Sequence, residues 1–400
     1  MAALTAAQRF AELVVEVGAN VQEGQDVLIL ADLGTEEAVR EVAGAAYRRG
    51  ARHVHVWWWD SLTKRERLLH ARPETLDYVP PELGSTFERL GAEGGCFIWV
   101  IGNPHPEALA GIEPERAGRD LLPKVKESNK VIQAQTMNWS IVSWPTEGWA
   151  RQVFPSLAPA DALERLRREL AHVCRLDESS AADAWRSRIA ELEAAAERLT
   201  AHRFDAVRFT GPGTDLTVGL FPSSTWQTGY FERLDGLKSL VNIPTEEVFT
   251  TPDPARADGV VRATKPLEVG GSLIDGIVVR FEGGRAVQID ANANADVLRA
   301  IAAKDDGAAR LGEVALVDGS GRIDALGTVF WNTLLDENAA SHVALGSSYD
   351  FVVEDASDRS QANQSRIHVD FMIGSKDVDV DSVTADGEQI PVLRGGDWQI

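Results

Sequence analysis

The chain has 400 residues, 44% of them hydrophobic and 25% charged, with a formal net charge of -21. That length is more than one ordinary core can use, so two or three domains are expected, with the composition of a soluble globular protein. Such an acidic chain repels phosphate backbones and anionic lipid, which sets nucleic acid and membrane partners aside.

In chain order, "MAALTAAQRFAELVVEVG" comes first. Arg9, Glu12 and Glu16 interrupt it, so it reads as an amphipathic helix and not as a signal peptide. "QDVLILAD" (25–32) is a short apolar strand, followed by a helix over 34–50. Thr35 stands where a cap belongs, Glu36 and Glu37 fall in the first turn, and Arg48 and Arg49 precede Gly50. "ARHVHVWWWD" (51–60) and "GGCFIWVIGNP" (94–104) are further strands. Strands alternating with helices predict βαβ units, a Rossmann-like α/β domain with a mainly parallel sheet. No G-x-G-x-x-G follows the first strand, so no dinucleotide is expected there. Trp57, Trp58 and Trp59 face both sides of their strand, which suits sheet–helix packing plus a domain or dimer contact.

Residues 155–201 show helical leucine spacing with charged outer faces. From residue 204 the pattern changes. "FDAVRFTGPGTDLTVGLF" is a hairpin signal around Gly211-Pro212-Gly213, and short strand-like runs follow, among them "GEVALVDGSG", "SYDFVVED", "SRIHVDFMIG" and "EQIPVLRGGDW". The domains are therefore 1–200, Rossmann-like with a helical extension, and 201–400, a strand-rich α+β domain. Only two cysteines occur, Cys96 and Cys174, and no apolar run approaches the ~20 residues of a membrane span. Both facts fit the cytoplasm.

"SRIHVDFMIGS" (365–375) raises a chemical question. In an extended chain Ile367, Val369, Phe371 and Ile373 face one way, and His368 and Asp370 the other. An unpaired carboxylate is costly to bury. Either the two residues pair at a sheet edge, or they bind a metal ion, for which imidazole and carboxylate are both good ligands. Of eight histidines, only His342 and His368 lie in the second half. If "LDENAASHVALG" (335–346) is helical, Asn338 and His342 share a face, and Asp336 and Glu337 start the helix. In "VNIPTEEVFTTPD" (241–253), Glu246 and Glu247 point to opposite sides, one to solvent and one inward. Glu313 sits at the mouth of a short buried strand. Together Glu247, Glu313, Glu337, His342, His368 and Asp370 form a carboxylate-rich set with two imidazoles. It suits paired divalent ions (Zn, Co, Mn or Mg) better than a structural zinc site. No H-E-x-x-H, phosphate loop or G-x-S-x-G occurs.

The stretches "PTEEVFTTPD", "GEVALVD", "ENAASHVALGSSYD" and "SRIHVDFMIG", in this order, closely resemble the signatures of the M29 family of metallo-aminopeptidases, the thermophilic aminopeptidase T type. "GQDVLILAD", "AYRRGARHVHVWWWD", "WPTEGWA" (144–150) and "GPGTDLTVGL" (211–220) look like the same family, so the likeness covers nearly the whole chain. It implies an exopeptidase with two divalent metal ions, a C-terminal catalytic domain, peptide substrates with a free N-terminus, and a homodimer. By motif, Glu247, His342, His368 and Asp370 would be ligands, Glu313 the bridging ligand, Glu337 an additional one and Tyr349 the catalytic tyrosine. The water proton would pass to Glu313 or Glu337.

Overall fold

A computed structural model describes residues 4–120, 122–269 and 272–400. The chain divides into two compact units, one of Met1–Arg186 with Tyr230–Pro244, the other of Ser187–Gly229 with Thr245–Ile400.

The first unit opens with α1 (Ala6–Leu13), where Thr5 and Gln8 form a reciprocal capping box. Its sheet contains β1 (Asp26–Asp32), β2 (His53–Trp59), β3 (Cys96–Ile101) and β4 (Asn138–Ser143). All pairings among them are parallel, in the order β4-β3-β1-β2, and the strand Asn242–Ile243 joins outside β4. This pairing is what returns Tyr230–Pro244 to the first unit. The helix α2 (Glu36–Arg48) follows β1 as expected, but Thr35 does not cap it. Its hydroxyl donates to the Asp32 carbonyl, and Glu36 instead accepts from the Gly34 N–H. Trp57 and Trp59 pack against the core around Phe87 and Phe97, while Trp58 is exposed.

Two long helices, α3 (Pro159–Val173) and α4 (Ala181–His202), lie where leucine spacing places them. Their charged residues are not all outward. Glu169 and Arg188 are buried.

In the second unit β5 (Ala206–Gly211) and β6 (Thr214–Leu220) form the expected hairpin. They lie inside an eight-stranded antiparallel sheet. A second antiparallel sheet holds β7 (Glu247–Thr250), β8 (Leu311–Val317), β9 (His342–Gly346) and β10 (His368–Met372). Its order is β10-β9-β8-β7, with the short strand Gln227–Thr228 beyond β7. Two local expectations fail here. Residues 335–346 are not one helix: a single turn Thr333–Asp336 and a 3-10 turn Glu337–Ala339 give way to β9, because the apolar run after Ser341 pairs on both sides with β8 and β10. The stretch "SYDFVVED" is not a strand but a 3-10 turn, Asp350–Val352, with one bridge from Val353 to Ser224. Among the described residues no helix is long and apolar enough to cross a membrane.

Candidate metal centre

The second antiparallel sheet gathers the acid–histidine set onto one face. Residues directly opposite one another in a ladder share a face. Asp370 lies opposite Ala344, which lies opposite Glu313. His342 lies opposite Ala315, which lies opposite Phe249, so Glu247, two residues before Phe249, is on that face too. His368 is two residues before Asp370 on β10, the edge strand.

Glu313 reaches this face through a bulge. Leu311 pairs with Leu345, but Glu313 pairs with Ala344, one position short of regular register. The extra residue is Gly312, and a Cβ there would stand 2.3 Å from the Gly346 carbonyl oxygen. A bulge of this kind turns the following side chain to the opposite face. Glu313 is therefore inside a fully buried strand, not at its mouth.

Each imidazole is oriented by a backbone carbonyl. His342 Nδ1 lies 3.1 Å from the Ala340 carbonyl and His368 Nδ1 2.7 Å from the Ser347 carbonyl. A carbonyl only accepts, so Nδ1 carries the proton and Nε2 faces the acids. His342 Nε2 is 3.1 Å from Glu247 Oε2, and His368 Nε2 is 3.1 Å from Glu313 Oε2 and 3.4 Å from Asp370 Oδ1. Among the described residues, Glu247 Oε2 and Asp370 Oδ1 are buried and have no well-formed hydrogen bond. Ligand atoms of Glu247, Glu313 and His342 lie within 4.8 Å of one another, as do those of Glu313, His368 and Asp370. Glu337 belongs to neither group, although its carboxyl feels Asp370, Glu247 and Glu313.

The electrostatics show what this cluster lacks. Burial and then Asp370 and Glu247 raise the Glu337 carboxyl well above its usual range, and burial raises Glu313. Burial alone would lower His342, yet Glu247, Asp370 and Glu313 overcome it and push the imidazole up to about 10. Burial would raise Asp370, but the charge of His368 holds it below the usual range. Ionised together, the four acids would carry more charge than two imidazolium groups supply, and the raised Glu337 and Glu313 carboxyls are the response to that surplus. The unbonded oxygens, the Nε2 lone pairs and the surplus of negative charge all fit divalent cations, and oxygen with imidazole donors suits them.

Tyr349 is 40% exposed, with its ring 5.2 Å from that of His368. Its phenol is raised above its ordinary value, first by desolvation and then by Glu313 and Asp370, so it stays a proton donor.

Sequence periodicity placed one of Glu246 and Glu247 in solvent, but both are buried. Glu246 Oε2 accepts from Arg188 Nε at 2.6 Å. Arg188 also ion-pairs with Asp318 and donates to Ser320 Oγ at 2.9 Å. The Glu246 N–H donates to Asn338 Oδ1 at 2.6 Å. Arg188 thus ties the start of β7 to the end of β8, and Asn338 ties β7 to the turn carrying Glu337. The helical pattern hid Arg188 as a surface charge; the adjacent pair Glu246-Glu247 was the signal that two counter-charges are needed. Asp336 does not start a helix but ends the turn Thr333–Asp336, and its carboxylate accepts from the Phe330 and Asn332 N–H groups.

Fold and donor set together define a metal-dependent enzyme. The sequence profile of the thermophilic metalloprotease (M29) family matches residues 5–398, and the chain belongs to that family. It is 40% identical to aminopeptidase T of Thermus aquaticus over 400 residues, 98% of each chain. It is 36% identical to aminopeptidase 2 of Geobacillus stearothermophilus, covering 98% of this chain and 97% of that one. The solved structure of wild-type AmpT from Thermus thermophilus superposes with a TM-score of 0.92 at 40% identity, covering 99% of both chains. The protein is accordingly a metallopeptidase, a hydrolase.

Proposed function

We propose that this metallopeptidase removes the first residue from peptides with a free N-terminus, with two divalent cations held by Glu247, Glu313, His342, His368 and Asp370. One observation carries the reading: Glu313 is common to two donor groups, one completed by Glu247 and His342, the other by His368 and Asp370. A carboxylate with two oxygens can serve both. The charge count supports two ions, since four carboxylates beside neutral imidazoles match two divalent cations. Zinc, cobalt, manganese and magnesium all accept oxygen donors, and the imidazoles favour the first two. Bound there, such ions supply Lewis acidity, activating a water and polarising a carbonyl.

The chain's own groups do the rest. Glu337, outside both donor groups, takes the water proton and returns it to the leaving amine. Tyr349 donates a hydrogen bond to the oxygen that gains charge in the transition state. The excess of carboxylates receives the substrate α-amine. All these groups lie in the second unit, Ser187–Gly229 with Thr245–Ile400, which we assign as the catalytic domain in place of residues 201–400. Cytoplasmic location is supported by two free, buried cysteines. The homodimer is supported by the family resemblance, and sedimentation velocity tests it.

A short peptide and its N-acetylated twin provide the functional test. Acetylation removes the amine's charge and lone pair. Mass spectrometry should show the free peptide shortened one residue at a time and the capped one intact, with EDTA stopping the reaction. Internal cleavage, or equal hydrolysis of both peptides, would overturn the proposal.

A further inference from the structure

An aromatic shelf adjoins the metal centre. On the sheet face that carries Glu247 and Glu313, the next residues are Phe249 and Ala315, which pack with Val352 in one apolar cluster. The Tyr349 ring stands over this cluster, 5.5 Å from Phe249, and also 5.2 Å from His368 and 5.7 Å from Phe351. Phe351 is 58% exposed. Aromatic rings therefore lead from the half-buried His368 out to solvent.

The exposure of Phe351 does not come from a slack loop. The Thr251 hydroxyl donates to the Tyr349 carbonyl at 2.8 Å. The N–H and hydroxyl of Thr225 donate to the Val352 carbonyl at 2.8 and 2.9 Å. The backbone is held on both sides of the ring, which leaves a large apolar surface uncovered beside a strongly polar centre. Such a surface gains free energy when an apolar group covers it.

We propose that Phe351, with the open face of Tyr349, forms the subsite for the side chain of the substrate's first residue, and that this side chain is apolar: leucine, methionine or phenylalanine. The inference rests on the aminopeptidase reading. There the scissile carbonyl lies between the acid–imidazole cluster and Tyr349. The first side chain branches from the carbon next to that carbonyl, within the spacing of one aromatic ring from Tyr349 to the next. An acidic side chain would meet the field of Glu313, Glu337 and Asp370 and be rejected.

The test uses leucyl-, phenylalanyl-, alanyl- and glutamyl-p-nitroanilides, which vary only the first residue, together with an alanyl-X dipeptide series that varies only the second. Wild type should favour leucyl and phenylalanyl over alanyl, and reject glutamyl. Phe351→Ala should lower the leucyl-to-alanyl ratio of kcat/KM by roughly 10-fold, chiefly through KM, as expected for lost contact in an apolar pocket. Phe351→Leu should restore most of it, and bound metal should match wild type in both variants. An unchanged ratio, an equal loss on every substrate, or a change confined to the alanyl-X series would overturn the subsite while free-amine hydrolysis stands. A wild type that leaves every free-amine substrate intact would overturn the aminopeptidase reading, and the subsite with it.

Discussion

Replacing Arg188 by methionine perturbs the bracket behind the metal centre without touching a ligand. The guanidinium side chain is 6% exposed, Glu246 is 0% exposed and Asp318 is 8% exposed. Methionine keeps the packing of the aliphatic stem and deletes the charge that pairs with both buried carboxylates. Breaking a buried ion pair by removing one partner costs about 3–5 kcal/mol. For a unit of this size that is about 6–20 °C in apparent Tm. Burial alone would raise Asp318, but the hydrogen bond and charge of Arg188 hold it below the usual carboxylate range. A depressed folded pKa contributes stability that is present above the unfolded value of about 3.9 and lost as pH falls below it. The destabilisation should therefore be full at neutral pH and shrink in acid. Urea unfolding of the metal-free protein at pH 7 and pH 3.5 measures both quantities, and metal titration reads the consequence for Glu247. Metal affinity should fall roughly 10- to 100-fold, the usual effect of disturbing groups behind the ligands. The triple variant Arg188→Met/Glu246→Gln/Asp318→Asn should recover most of the stability, because no charge is then left unpaired. A single variant as stable as wild type, with unchanged metal affinity, would refute the reasoning.

Further outcomes are expected at the centre itself. Glu247→Gln should lose metal by equilibrium dialysis while keeping its fold, whereas Glu246→Gln should keep metal and lose stability in thermal unfolding. Tyr349→Phe should bind metal normally and lose roughly 10²–10³-fold in kcat with little change in KM, measured by steady-state kinetics, the usual cost of one oxyanion donor. In metal-free protein the carboxyls of Glu313 and Glu337 and the His342 imidazole are all raised above their unfolded values. Their contribution to stability is greatest at low pH and declines as pH rises, from the unfolded carboxylate value of about 4.3 to about 10, where His342 loses its proton. Apparent Tm scans across this range should fall steadily without metal and much less with saturating zinc or cobalt.

Local rules settled much of this protein. The apolar run of β1, the alternation of strand and helix, and the Gly-Pro-Gly turn between β5 and β6 are nearest-neighbour signals, and each element formed where they put it. The kinds of donor at the centre were also legible, because an acid or imidazole inside an apolar strand demands a partner whatever the fold. The tertiary structure decided the facing of these groups. His342 reads locally as helical and becomes a strand because β8 and β10 pair on either side of it. Glu313 joins the ligand face through the bulge at Gly312, whose register is set by Leu345 and Ala344 more than thirty residues away. Glu246 is buried instead of solvated because Arg188, 58 residues earlier, supplies its counter-charge. Periodicity reports which side chains share a face of one element; which face is desolvated, and what charge awaits there, depends on strands that meet only when the chain folds.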